Sequence, residues 1–321
     1  FQESWVIGRR LLLGIIVFVS GCSEERSSSP GSLAIVCTTG IVGDLVKVIA
    51  GDAAEITTLI EPGQDPHRYR ASKDDVERLS QADAIFHNGL DLEEQMQEIL
   101  ERLVTGKKVV AISRDIPRDR LRGRPGLDGL YDPHVWLDVA LWKEAVGPVV
   151  AALSELRPDL YADFKVRGEA YRARLDTLHH QIADEIQSVP DTDRVLITAH
   201  AAFGYFGQAY GIKAVSVQGV TTSAEYAATD VTRIVNLILA SRVKTVFAET
   251  CVPGQSIQAV LAASRARGIN VGLGGILYSD ALGDVGSGTD TYVAAVEATA
   301  HTIAEILRPG EPSSHDASAR N

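Results

Sequence analysis

Short β-branched runs alternate along this chain with longer stretches whose apolar positions recur at steps of three and four. In the first half the extended runs are "LAIVC" (33–37), "EITTLI" (55–60), "DAIFH" (83–87) and "KVVAI" (108–112). Between them lie helical patterns such as "IVGDLVKVIAG" and "SKDDVERLSQ". The second half repeats the alternation with "RVLIT" (194–198), "KAVSV" (213–217), "KTVFA" (244–248) and "INVGL" (269–273). Helical patterns again intervene, notably "TDVTRIVNLILASR" and "SIQAVLAASRARG". Alternating strands and helices predict an α/β fold, because parallel strands need a crossover that a helix supplies. Two such series predict two lobes, each with a mainly parallel four-stranded sheet flanked by helices. The segments "AIVCTTGIVGDLVKVIAGD" and "VLITAHAAFGYFGQAYGIK", which open the two halves, echo one another weakly: strand, small polar turn, apolar helix, glycine.

Between the halves, Leu160, Phe164, Tyr171, Leu175, Leu178, Ile182, Ile186 and Val189 keep the helical spacing with one gap at Arg167. Pro158 and Pro190 bracket the segment. A single helix over 159–188 would run roughly 45 Å at 1.5 Å per residue, a stiff connector between lobes.

The N-terminus carries a different pattern. In "RRLLLGIIVFVSGC", Arg9 and Arg10 precede an apolar run from Leu11 to Val19 that meets Ser20, Gly21 and Cys22. A basic start, a short apolar stretch and small residues at its end describe an export signal. The run falls short of the ~20 apolar residues that span a bilayer. The predicted organisation is a signal peptide over 1–22, a flexible Ser-rich tether over 23–32, and an N-terminal lobe over 33–157. A connecting helix over 158–190, a C-terminal lobe over 191–309 and a disordered tail over 310–321 complete it.

Composition narrows the function. Of 321 residues, 45% are apolar and 23% charged, enough for a sizeable core, and the formal net charge is −11. That balance argues against a nucleic-acid partner, which needs basic surface to neutralise phosphates. Cys37 and Cys251 each end an apolar run and read as buried thiols, with a pair in an oxidising compartment as the alternative, and no Cys-x-x-Cys arrangement supports a zinc ribbon or a redox site.

Candidate chemistry rests on the histidines. His179 and His180 lie in the long helix, His301 in the last helix and His315 in the tail, where packing or solvation accounts for them. His87 ends a strand before an Asn-Gly turn and reads as structural. His67 and His134 differ, since each follows an Asp-Pro pair in a loop beyond a strand of the first half. His200 follows the strand that opens the second half. Ligands of open α/β sheets bind beyond the carboxyl ends of strands, which is where these three fall. Two carboxylates stand at strand ends of the second half, Glu249 and Asp280, and either suits a fourth position. Three imidazoles and a carboxylate form a nitrogen/oxygen set fit for zinc, or for manganese at higher coordination. Asp65 and Asp132 suit Asx turns before their prolines, Asp138 a helix N-cap, Trp136 and Trp142 packing, and Glu249 a hydrogen-bond acceptor that orients a histidine.

The ending "VSGC", with "GQDPHRY", "DPHVWLDV", "ITAHAAFGYFGQAYG" and "LYSDALGD" in this order, resembles the TroA-like zinc/manganese-binding lipoproteins of bacterial ABC importers. The resemblance covers essentially the whole mature chain. It implies an extracytoplasmic solute-binding protein with a rigid connecting helix and an ion in the cleft between lobes. By the same resemblance, residues matching His67, His134, His200 and Asp280 hold the ion, and Cys22 carries the lipid that anchors the chain at a membrane surface. It implies an ABC permease and its ATPase subunit as partners of a monomer. Histidine at position 200 leans towards zinc, whereas the segment 114–134 lacks the His/Asp-rich loop of dedicated zinc importers; the expected cargo is zinc or manganese. A metal-dependent hydrolase and an adhesin-like surface lipoprotein are the competing readings. A hydrolase would need an open position on the ion, which four protein ligands on zinc do not leave.

Overall fold

The computed structural model describes residues 31–308. The expected export signal with Cys22, most of the 23–32 tether and the 310–321 tail lie outside the described residues. Within them the strands are β1 (Leu33–Thr39), β2 (Ala54–Ile60), β3 (Ala84–His87), β4 (Lys108–Ala111), β5 (Gly123–Arg124), β6 (Leu127–Tyr131), β7 (Val195–Thr198), β8 (Lys213–Ser216), β9 (Thr245–Glu249) and β10 (Gly272–Leu277).

The first series forms the expected parallel sheet in the order β2-β1-β3-β4. Its central strand β1 buries Ile35, Val36 and Cys37, which explains the unbroken apolar run: both faces are covered. Thr39 then caps the helix Gly40–Ala50, its hydroxyl accepting from the Val42 amide, so strand passes to helix without a loop. Ser72 and Asp75 form a reciprocal capping box at the start of the helix Lys73–Gln81.

The second series departs from a continuous four-stranded ladder. Its strands hydrogen-bond as two parallel pairs, β7–β8 and β9–β10, with β7 lying alongside β9. At the carboxyl ends of β7 and β9 a side chain supplies the tie: the Glu249 carboxylate accepts from the His200 amide at 2.9 Å. β10 also begins three residues later than the apolar pattern suggests. Ile269 is held in a turn by its amide donating to Ser264, 3.0 Å away, and the strand forms instead from "GLGGIL". Glycine is required there, since a Cβ on Gly274 would stand 2.2 Å from Thr245 Cγ2.

The stretch 114–134, expected as a loop after β4, contains the antiparallel hairpin β5–β6. His134 therefore follows β6 and not the fourth strand of the sheet. These strands are short, glycine-containing and largely exposed, so no apolar alternation marks them in the sequence.

The connecting helix runs over Tyr161–Gln187, roughly 40 Å, after a 3-10 turn at Pro158–Leu160. Its buried stripe is Phe164, Gly168, Tyr171, Leu175, Leu178, Ile182 and Ile186. Gly168 fills the gap in the apolar spacing: a Cβ there would meet Val150 Cγ2 at 2.8 Å, so glycine permits close contact with the helix Val146–Leu156. Arg167, next to it, caps the helix Gly40–Ala50 by donating to Ala50 O at 3.1 Å. The long helix is not a bare strut. It packs on the helices Gly40–Ala50, Val146–Leu156 and Tyr292–Leu307, and one apolar core runs from Ile35 and Leu45 through Leu175 and Leu178 to Leu196, Phe206 and Tyr292.

Candidate metal centre

Each Asp-Pro-His loop is stiffened by its own aspartate. Beyond β2, Asp65 Oδ1 accepts from the His67 amide at 3.0 Å, an Asx turn around Pro66. Beyond β6, Asp132 Oδ1 accepts from the His134 amide at 3.1 Å and also lies 2.7 Å from His134 Nδ1. With Nδ1–H donating to Asp132, His134 presents the lone pair of Nε2. The second loop is held further by Asn88 Nδ2, which donates to Pro133 O at 3.1 Å, and by the Tyr205 hydroxyl, which donates to Asp132 O at 2.9 Å.

The second lobe presents its candidate ligands from strand ends. His200 follows β7, and Glu249 at the end of β9 braces it from behind: Oε1 takes the amide and Oε2 lies 2.6 Å from Nδ1. Glu249 thus sits against the back of His200. Asp280 faces the three Nε2 atoms, at 3.0 Å from His200, 3.5 Å from His134 and 3.7 Å from His67. Its loop is pinned across the lobes by Trp136 Nε1, which donates to Ser279 O at 2.7 Å. Trp136 is therefore more than packing.

His134 Nε2 lies 3.2 Å from both His67 Nε2 and His200 Nε2. One ligand atom from each of His67, His134, His200 and Asp280 lies within 4.8 Å of the others. The imidazoles are fully buried and Asp280 is 2% exposed. Neither Asp280 oxygen meets a donor other than these imidazoles, and His67 Nδ1 has no partner. A buried polar atom left in that state costs about 1–3 kcal/mol, which a cation between the carboxylate and the imidazoles would remove.

The electrostatics call for positive charge at the centre of this cluster. Burial pushes His67 well below its ordinary value, which favours the neutral, ligating form. Burial acts likewise on His200 but is outweighed by the Glu249 and Asp280 carboxylates, which hold it well above. For Asp280, burial opposes the charge, yet the imidazoles of His200, His134 and His67 outweigh it and keep the carboxyl below its usual range. Nearby Cys251, whose thiol is 3.2 Å from Ser279 Oγ, is pushed up first by burial and then by Asp280 and Glu249. It remains a thiol, as does buried Cys37.

The remaining described histidines stand elsewhere. His87 Nδ1 is 3.8 Å from Glu93, His179 Nδ1 is 3.2 Å from the Tyr210 hydroxyl, and exposed His301 is 2.8 Å from Glu185. His180 pairs edge-on with His179, and Asp138 caps its helix by accepting from Ala140 and Leu141. His315 lies outside the described residues. Asn88, Glu93 and Tyr205 were not singled out by the sequence. Glu93 Oε1 accepts from Thr38 Oγ1 and from the Asn88 amide, fixing the segment that carries Asn88 under Pro133. The one sequence signal for this segment is the Asn-Gly pair, followed by Leu90 and Asp91 at positive φ.

Comparison with known proteins agrees with this geometry. The nearly full-length relatives include the zinc-binding protein TroA of Treponema pallidum, 38% identical over 298 residues, spanning 92% of this chain and 96% of the relative. They also include the manganese-binding lipoprotein MntA of Bacillus subtilis, 34% identical over 307 residues, spanning 94% and 100%. A solved structure of the periplasmic zinc-binding protein TroA superposes with a TM-score of 0.83 at 40% identity, covering 87% of this chain and all of that one. The profile of the family described as zinc-uptake complex component A, periplasmic, matches residues 35–306. That match runs through both lobes and the connecting helix, and the chain belongs to this family of periplasmic metal-binding proteins.

Proposed function

We propose that this protein captures a divalent transition-metal ion outside the cytoplasmic membrane and hands it to the permease of an ABC importer, which its ATPase subunit drives. The cargo is zinc or manganese, since relatives on either side of that choice carry those names. His67, His134, His200 and Asp280 are the ligands in this reading, with Asp132 and Glu249 orienting two of the imidazoles. The observation that carries it is the buried Asp280 carboxylate, which faces three imidazole Nε2 atoms and no other donor. Three nitrogens and one carboxylate oxygen fill a tetrahedral zinc shell, and a second carboxylate oxygen raises the coordination as manganese prefers. A filled shell leaves no position for an activated water, so the ion is cargo and not a catalyst. We read the lobes as 33–157 and 191–309, joined by 158–190, with a 1–22 export signal and Cys22 as the lipidated anchor of a monomer.

The test is metal analysis of the purified protein, followed by competition between zinc and manganese on the stripped form. One bound ion per chain is expected. Zinc should win in vitro whichever ion is physiological, so uptake of radioactive zinc and manganese by cells lacking the gene decides the cargo. A stoichiometry of zero, or full affinity in the His134→Ala protein, overturns the reading.

A further inference from the structure

The two Asp-Pro-His loops look alike in sequence, but the outer oxygen of their aspartates goes to different places. Asp132 keeps Oδ1 on His134 and turns Oδ2 towards Arg122 of its own lobe, 3.7 Å away. Asp65 keeps Oδ1 on the His67 amide and accepts from Thr222 Oγ1 at Oδ2. Thr222 belongs to the other lobe, on the connection between β8 and the helix Ala228–Ser241, and is 3% exposed. Its neighbour Ser223 places Oγ 3.3 Å from His67 O and 3.4 Å from Glu94 Oε2. Glu94 in turn pairs with Arg124 at 3.1 Å, and the Arg124 guanidinium donates to Tyr131 O at 2.7 Å, just before the second Asp-Pro-His. The turn Thr221–Ser223 therefore touches the His67 loop directly and the His134 arm through Glu94.

We propose that Thr222 is a positioning residue for His67, whose hydroxyl holds the Asp65 loop in its ion-facing pose only while the two lobes are together. Separation of the lobes breaks the Thr222–Asp65 bond and frees the His67 loop before any ligand needs to leave its own lobe. The Thr221–Ser223 turn thus sets the rate at which the ion departs. His200 keeps its bracing from Glu249 within the second lobe, whereas the Trp136 tie to the Asp280 loop also crosses the lobes; neither depends on this turn. The inference rests on the metal-binding reading above.

The experiment measures zinc release from the full chain into excess chelator by stopped flow, with the d–d absorption spectrum of the cobalt form as a second readout. Thr222→Val is expected to release zinc about tenfold faster, the worth of one hydrogen bond to a carboxylate. Association should change by less than about threefold, as is usual when a bound pose alone is weakened. The cobalt spectrum should shift, and Thr222→Ser should restore both readouts. In a His67→Ala background, Thr222→Val should add nothing. Unchanged release from Thr222→Val, in a protein whose His67→Ala form has lost affinity, overturns the inference and leaves the metal site standing. Parent protein that takes up neither zinc nor cobalt overturns both. Should Thr222→Val misfold by circular dichroism, Ser223→Ala removes the exposed tie on the same loop, and unchanged release from it overturns the inference.

Discussion

The two lobes supply equal shares of one site by different means. In the second lobe, His200 stands two residues past the end of β7 and Asp280 three past the end of β10, so the sheet itself aims them. In the first lobe, His67 comes seven residues past β2 and His134 follows an exposed hairpin, far from the sheet's edge strand. Distance from a rigid strand has to be offset locally. Proline removes backbone freedom and the preceding aspartate closes a hydrogen-bonded turn onto the histidine amide. The repeated tripeptide is thus a stiffening device for candidate ligands that sit on long loops, and the lobe that needs no stiffening lacks it.

The largest expected effect comes from removing the candidate ligand that links the two sets. His134 Nε2 lies 3.2 Å from both other imidazoles, so His134→Ala should lower zinc affinity by well over the roughly hundredfold lost with an outer partner. Chelator competition measures it. Stripping the ion should cost about 2.7 kcal/mol of stability relative to protein with free zinc at a hundred times its Kd. Differential scanning calorimetry should record a matching drop in the unfolding temperature, and equal midpoints with and without zinc would contradict a buried four-ligand site.

Next in size are the carboxylates behind the imidazoles. Glu249→Gln and Asp132→Asn should each weaken zinc about ten- to hundredfold, since each braces one Nδ1 and one amide. If the contrast between lobes is right, Asp132→Asn costs more, because His134 has no adjacent strand of its sheet to keep it in place. Smallest is the loosening of the turns: Pro66→Ala or Pro133→Ala should weaken binding by about two- to fivefold, the equivalent of about 0.4–1 kcal/mol of added chain freedom. A larger loss from Glu249→Gln than from Asp132→Asn would reverse the comparison.

What could be read without coordinates follows the same division. The strands of the first sheet were legible because β1 and β3 are buried on both faces and show as unbroken apolar runs. The three histidines were legible because each closes a strand or a proline-marked loop. The fourth position was legible in Asp280 only through the family resemblance, since Glu249 and Asp280 are both acids at strand ends. Only the fold shows one carboxylate facing Nδ1 of His200 and the other facing its Nε2. The hairpin β5–β6 and the glycine-rich β10 lack any apolar alternation, and Gly274 reveals its purpose only against Thr245. Asn88, Tyr205 and Thr222 act on residues far away in the chain, on Pro133, Asp132 and Asp65, so no local pattern announces them.

The apolar core that passes without interruption through the long helix has a consequence for how the molecule comes apart. Leu175 and Leu178 belong to the same core cluster as Ile35 of β1 and as Leu196 and Phe206, so the lobes share packing through the helix, while each also keeps a smaller core of its own. Heat should therefore melt the metal-free chain in one transition, with calorimetric and van't Hoff enthalpies in agreement. Amide hydrogens of the central turns of Tyr161–Gln187 should exchange only through that global opening. A lobe expressed alone, cut at either end of the helix, should expose this seam and aggregate.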